Sequence, residues 1–132
     1  MDNPEQLRPK NPDQRVILIA EDEVLVRNVA RLTLQSEGYF VLTADDGEEA
    51  LEISSKFPGT IHVLLSDVIM PKMDGLRLRQ EILAARPEIQ VLLMSARIDA
   101  LADNVPFLRK PFGPKVLKER IWQLLKVGAT AR

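Results

Sequence analysis

An α/β fold is predicted, a parallel sheet covered by helices on both faces, and two observations predict it. Short, mostly branched apolar runs alternate with helix-period segments from Arg15 onward. The chain has 132 residues, 45% of them hydrophobic, and a domain of this size buries roughly two thirds of the surface its unfolded chain exposes, enough for one core. Strands that alternate with helices are joined by right-handed crossovers, which makes them parallel and covers both faces of the sheet.

Val16-Ile17-Leu18-Ile19-Ala20 is a five-residue apolar run ending at charges, which reads as a buried strand. Residues 24 to 37 follow as a helix with Leu25, Val29 and Leu32 at i, i+4 and i+7 as its apolar stripe, and Gly38 stands at the C-cap. Tyr39 to Ala44 is the second strand. Asp45-Asp46-Gly47 with Glu48 and Glu49 forms a polar turn that feeds a helix through Ala50, Leu51 and Ile53 to Lys56, ended by Pro58-Gly59. His62 to Ser66 is the third strand, and Leu76 to Ala85 is the third helix, stopped before Pro87. Gln90 to Ser95 is the fourth strand and Pro106 to Leu108 a brief fifth. Pro114 opens a last helix with Val116, Leu117, Ile121, Leu124 and Leu125 on one face.

Residues 1 to 14 hold three Pro, two Asn and two Asp, with Leu7 the one sizeable apolar residue after Met1. Such a segment buries too little to offset its ordering entropy and is expected to be a flexible arm, or part of a linker in a longer chain. Residues 15 to 127 form the predicted domain and 128 to 132 a tail; no internal repeat is found.

Charge and composition exclude several classes. Lys and Arg number 18 against 19 Asp and Glu, a net charge of −1 with no block of one sign. Nucleic acid and anionic membranes are recognised by clustered Lys and Arg, so neither is an expected partner. The absence of cysteine removes disulfides, thiolate metal sites and cysteine nucleophiles. No apolar run approaches the roughly 18 residues of a membrane span, and the N-terminus lacks a signal-peptide core; a cytoplasmic location is expected.

In open α/β sheets function collects beyond the carboxyl ends of the strands. Glu21, Asp22 and Glu23 follow the first strand, Asp67 the third, Ser95 ends the fourth, and Lys110-Pro111 follows the fifth. Two carboxylates 4 Å apart repel by about 4 kcal/mol at an effective dielectric near 20. A divalent cation resolves that repulsion, and oxygen-only ligands suit Mg²⁺. Taken singly, each acid is equally well explained as the start of a helix, where it favours the dipole.

Ile19-Ala20-Glu21-Asp22, Asp67-Val68-Ile69-Met70-Pro71-Lys72-Met73-Asp74-Gly75, Ser95-Ala96 and Lys110-Pro111-Phe112, in that order, resemble the receiver domain of bacterial two-component response regulators. The resemblance spans residues 15 to 127. It implies a flavodoxin-like, doubly wound five-stranded sheet of order 2-1-3-4-5. It also implies that Asp67 is the phosphoacceptor, phosphorylated by a histidine kinase or a histidine phosphotransfer protein. Mg²⁺ would be held by Asp22, Asp67 and the backbone carbonyl of Ile69, with Glu21 acting through a water. Lys110 and Ser95 would contact the phosphoryl group, and Ser95 with Phe107 would form the switch. Pro71 and Gly75 are expected to shape the loop that presents Asp67, and Asp74 to start a helix rather than bind metal. His62, at the opposite end of its strand, is expected to be structural, and Tyr39 and Trp122 to pack or sit at the rim.

Three departures from the family pattern bear on function. Glu21 stands where the usual first acid is Asp, and Phe107 lacks the hydroxyl of a Tyr. Only 14 residues lie between Ser95 and Lys110, so the fourth helix is expected to be short, irregular or missing. Since that region is a common dimer surface in the family, a monomer or weak dimer is expected. Ile69 and Arg97, flanking the phosphoryl position, are expected to influence the lifetime of the acyl phosphate. The last predicted helix ends close to Arg132, which suggests a stand-alone receiver without an output domain, or a receiver fragment of a hybrid histidine kinase. The chain is expected to catalyse only its own phosphorylation and dephosphorylation, and its downstream protein target is unknown. A phosphohydrolase with an aspartate nucleophile would place a second acid two residues after it, where this chain has Ile69. A non-phosphorylated docking module would have lost the acids or the lysine.

Overall fold

The computed structural model describes residues 7–97 and 105–130. Its elements run β1 (Val16–Ala20), α1 (Val24–Ser36), β2 (Phe40–Ala44), α2 (Gly47–Lys56), β3 (Val63–Asp67), α3 (Gly75–Ala85), β4 (Gln90–Ser95), β5 (Phe107–Arg109) and α4 (Pro114–Thr130). The strands are all parallel and lie in the order β2-β1-β3-β4-β5. Four helices are present among the described residues; the expected short or missing helix falls in residues 98–104, outside them.

Each strand points successive side chains to opposite faces, so the sheet carries two cores. Ile17, Ile19, Val63, Leu65, Leu92 and Met94 meet Ala30 and Leu34 of α1 and Leu117, Ile121 and Leu125 of α4. Val16, Leu18, Leu42, Leu64 and Leu93 meet Ala50 of α2 and Leu78 and Ile82 of α3. β1 and β3 are buried along their whole length because both faces are covered, which explains their unbroken apolar runs.

The stripe expected to bury α1 faces the solvent instead. Leu25 is 81% exposed, and Val29 and Leu32 are at least half exposed; Ala30, Thr33 and Leu34 are the buried residues. The helix carries two adjoining apolar stripes, and periodicity alone cannot say which one meets the sheet. Small Ala30 permits close approach there, and the bulkier stripe is left outside. On α4 the prediction is nearer, with Leu117, Ile121 and Leu125 buried and Val116 exposed.

Local chemistry sets the boundaries. Asp46 accepts a hydrogen bond from the Glu49 amide at 2.8 Å and Asp74 one from the Arg77 amide at 2.8 Å, so both acids cap helices. Gly38 has φ +92°, the left-handed conformation a helix C-terminus favours. Pro106 accepts from the Leu93 amide at 3.1 Å but has no N–H to return, so β5 begins one residue later than expected. Asp67 is itself the last residue of β3, in register with Met94 of β4. Arg86, at the C-cap of α3, donates to Ser54 Oγ (2.9 Å) and to the carbonyls of Ser54 (2.7 Å), Phe57 (2.9 Å) and Gly59 (2.8 Å), pinning the ends of α2 and α3 together. Leu7 packs against the second core, and Gln14 donates to the Gly38 carbonyl at 3.0 Å. Among the described residues no helix is long and apolar enough to cross a membrane.

Candidate functional site

Parallel pairing brings every strand's carboxyl end to one edge of the sheet. β1 and β3 are neighbours at its centre, so Glu21, Asp22 and Asp67 emerge side by side. One carboxylate oxygen from each of the three lies within 4.8 Å of the others. Glu21 is fully buried, Asp67 nearly so, and Asp22 is exposed.

Lys110 reaches this centre from the sheet margin. Its amide donates to the Ser95 carbonyl at 2.9 Å, which extends the β4–β5 pairing by one residue. Its side chain crosses the end of β4, placing Nζ 2.5 Å from Glu21 Oε1, 2.9 Å from Asp67 Oδ2 and 3.6 Å from Glu23 Oε1. The Lys110–Pro111 peptide is cis. Glu21 Oε2 also accepts from the Glu23 amide at 3.1 Å.

The charges do not balance, since one ammonium is paired with three acids, Glu21, Glu23 and Asp67, and Asp22 adds a fourth beside them. Burial is the main cause that pushes the Glu21 carboxyl up to about 7. The hydrogen bonds from Lys110 and the Glu23 amide hold it down, and the Asp67 charge raises it further. For Lys110, burial works to lower the pKa, but its bonds to Glu21 and Asp67 outweigh it and the net shift is upward. A carboxylate cluster that is incompletely neutralised, made wholly of oxygen donors and open on the Asp22 side, has the chemistry of a small hard divalent cation site.

The remaining expected residues surround this centre in different conditions. Ser95 is buried, and its hydroxyl is engaged with Arg97, donating to the carbonyl and accepting from the amide at 3.0 Å each. Phe107 is half-buried against the core, in register with Leu93. Ile69 is 63% exposed at the rim of the loop after Asp67. That loop folds back tightly: the Gly75 amide donates to Val68 O at 2.7 Å, and a Cβ on Gly75 would lie 2.1 Å from the Asp67 carbonyl. His62 Nδ1 accepts from the Val16 amide at 3.0 Å at the opposite edge, a structural position as expected. Trp122 is exposed beside the Lys126 ammonium, 5.0 Å from its ring centroid, and Tyr39 packs against the first core.

Two features were not anticipated. Arg27 of α1 bonds the Glu21 carbonyl, a contact between residues six apart for which the sequence offers no local signal. An apolar groove of about 480 Å³ opens beside the acids, lined by Leu25, Val26, Val29, Ala96 and Phe112, with Glu23 and Lys110 at its polar end.

Known proteins share this fold. Residues 17–122 match the family described as the response regulator receiver domain. The chain is 39% identical over 117 residues to the sensor kinase CckA of Brucella abortus (strain 2308), a match covering 83% of this chain and 12% of that protein. It spans about half the length of the regulators it also matches. The solved receiver domain from the hybrid histidine kinase CckA is 44% identical with a TM-score of 0.75, covering 83% of this chain and 98% of that one. The regulator TrrA of Thermotoga maritima, solved in complex with Mg²⁺-BeF, is 31% identical with a TM-score of 0.74, covering 85% of this chain and 100% of that one. With the family match spanning most of the chain and the sheet order that of a doubly wound fold, the chain belongs to the response regulator receiver domain family of two-component systems.

Proposed function

We propose that Asp67 accepts a phosphoryl group from a phosphohistidine of a histidine kinase or phosphotransfer protein, and that the resulting change in surface alters which protein this chain binds in the cytoplasm. The observation that carries this reading is the convergence of Asp67, Glu21, Asp22 and Lys110 on one sheet edge. A carboxylate oxygen of Asp67 attacks phosphorus, the P–N bond breaks with its electron pair returning to the imidazole, and an acyl phosphate forms. Asp22, Asp67 and the Ile69 carbonyl, with Glu21 through a water, are the residues that would hold Mg²⁺. When bound, it neutralises charge on the phosphoryl oxygens. Lys110, already 2.9 Å from Asp67 Oδ2, transfers its ammonium from the carboxylate to a phosphoryl oxygen. Ser95 exchanges its bond with the Arg97 carbonyl for one to the same group, and Phe107, packed one strand away, follows into the space this opens. Such a switch is a population shift favoured by the differential contacts of Ser95. The chain acts on its own carboxylate and not on a separate substrate.

The exposed stripe Leu25, Val29 and Leu32 with its adjoining groove supports the donor being a protein, since a contiguous exposed apolar patch marks an interaction surface. The test is mass spectrometry after incubation with acetyl phosphate and Mg²⁺. Wild type is expected to gain one phosphoryl group and Asp67→Asn none; no gain in wild type would overturn the reading in favour of a docking module.

A further inference from the structure

Arg27 lies one turn into α1, its side chain 15% exposed. Its Nη1 donates to the Glu21 carbonyl at 2.8 Å and lies 3.1 Å from Asp45 Oδ1, at the end of β2. The Glu21 amide donates to the Ala44 carbonyl at 3.1 Å. Glu21 is thereby held at both of its backbone polar groups. The carbonyl that Arg27 grips belongs to the peptide joining Glu21 to Asp22, so the plane that sets the directions of both acids is fixed by one guanidinium.

We propose that Arg27 is the positioning residue of the acidic corner, holding the Glu21–Asp22 peptide in the orientation that presents both carboxylates to a divalent cation. The inference rests on the metal reading given above. Lys110 bonds the carboxylates themselves and must yield when a cation enters. Arg27 bonds the backbone behind them and stays in place in either state. A fork of N–H donors suits this task, since it can hold a carbonyl and a carboxylate together without ligating the metal. Groups that orient metal ligands from behind typically contribute 10- to 100-fold to affinity.

The test is Mg²⁺ affinity by isothermal titration calorimetry on the whole chain, alongside thermal denaturation without metal. Arg27→Ala is expected to weaken Mg²⁺ by about tenfold, and Arg27→Lys, which keeps one donor for the carbonyl, to recover part of that loss. Asp45→Ala removes the exposed ion pair alone and is expected to stay within about twofold of wild type. A merely structural staple would lower the melting temperature and leave the affinity of the folded protein unmoved. Unchanged affinity in Arg27→Ala, or an equal loss in Asp45→Ala, overturns the proposal while leaving phosphorylation of wild-type Asp67 intact. If Arg27→Ala fails to fold, Arg27→Met, which fills similar space without a donor for the Glu21 carbonyl, overturns it equally by keeping wild-type affinity. Absence of Mg²⁺ binding by wild type overturns this inference together with the metal reading beneath it.

Discussion

Burial decides what Glu21 does before any partner arrives. Its carboxyl rises from 4.5 to about 7, so between those values the folded protein holds a proton that the unfolded chain has released. A group raised in this way contributes stability that is complete below pH 4.5 and is lost as pH rises through about 7. Urea denaturation in the absence of divalent cations is therefore expected to give a falling midpoint from pH 5 to pH 8, and Glu21→Gln is expected to flatten that fall. Gly75 makes a steric demand of a different kind. With a Cβ only 2.1 Å from the Asp67 carbonyl, Gly75→Ala must shift backbone, and overpacking of this kind costs about 1–3 kcal/mol. The unfolding free energy obtained from denaturant titration should fall by that amount, and phosphorylation of Asp67 by acetyl phosphate should slow even in the folded protein. The acids and the lysine were legible in the sequence because strand ends are legible. Arg27 was not, since its partners are a main-chain carbonyl and an acid just past β2, neither of which leaves a local pattern.

At the level of elements, Arg86 illustrates a joint made by one side chain. Its four hydrogen bonds tie the C-terminal ends of α2 and α3, using main-chain carbonyls that the end of α2 leaves unpaired. Arg86→Ala is expected to cost about 1.5–3 kcal/mol, the range for hydrogen bonds to a charged group, read from denaturant midpoints with Asp67 phosphorylation in the folded protein unchanged. α1 shows where sequence periodicity stops being informative. It located the helix to within a residue, yet chose the outward stripe, because the contest between Leu25-Val29-Leu32 and Ala30-Leu34 is settled by how closely the backbone must approach the sheet. The outward stripe has a testable use. Leu25→Ser, at a position 81% exposed, is expected to leave the melting temperature unchanged, to slow phosphotransfer from a histidine donor, and to leave the reaction with acetyl phosphate at the wild-type rate.

For the molecule as a whole, alternation of apolar runs and helices gave a parallel sheet, but the order β2-β1-β3-β4-β5 follows from no periodicity in the chain; it came with the resemblance carried by the strand-end motifs. That order places β1 beside β3, and hence Glu21 and Asp22 beside Asp67. Lys110 is the exception to central placement, since it directly follows the marginal strand, which is three residues long and, among the described residues, paired on one side only. Its ammonium bonds with Glu21 and Asp67 therefore act as a mooring line, by which the most weakly held strand is tied to β1 and β3. Any event that draws the ammonium away changes the tension on that line, so charge chemistry at the centre is felt as backbone opening at the margin. Hydrogen–deuterium exchange should register it: in Lys110→Ala the amides of Phe107–Arg109 are expected to exchange faster while those of β2, on the opposite margin, keep their wild-type protection.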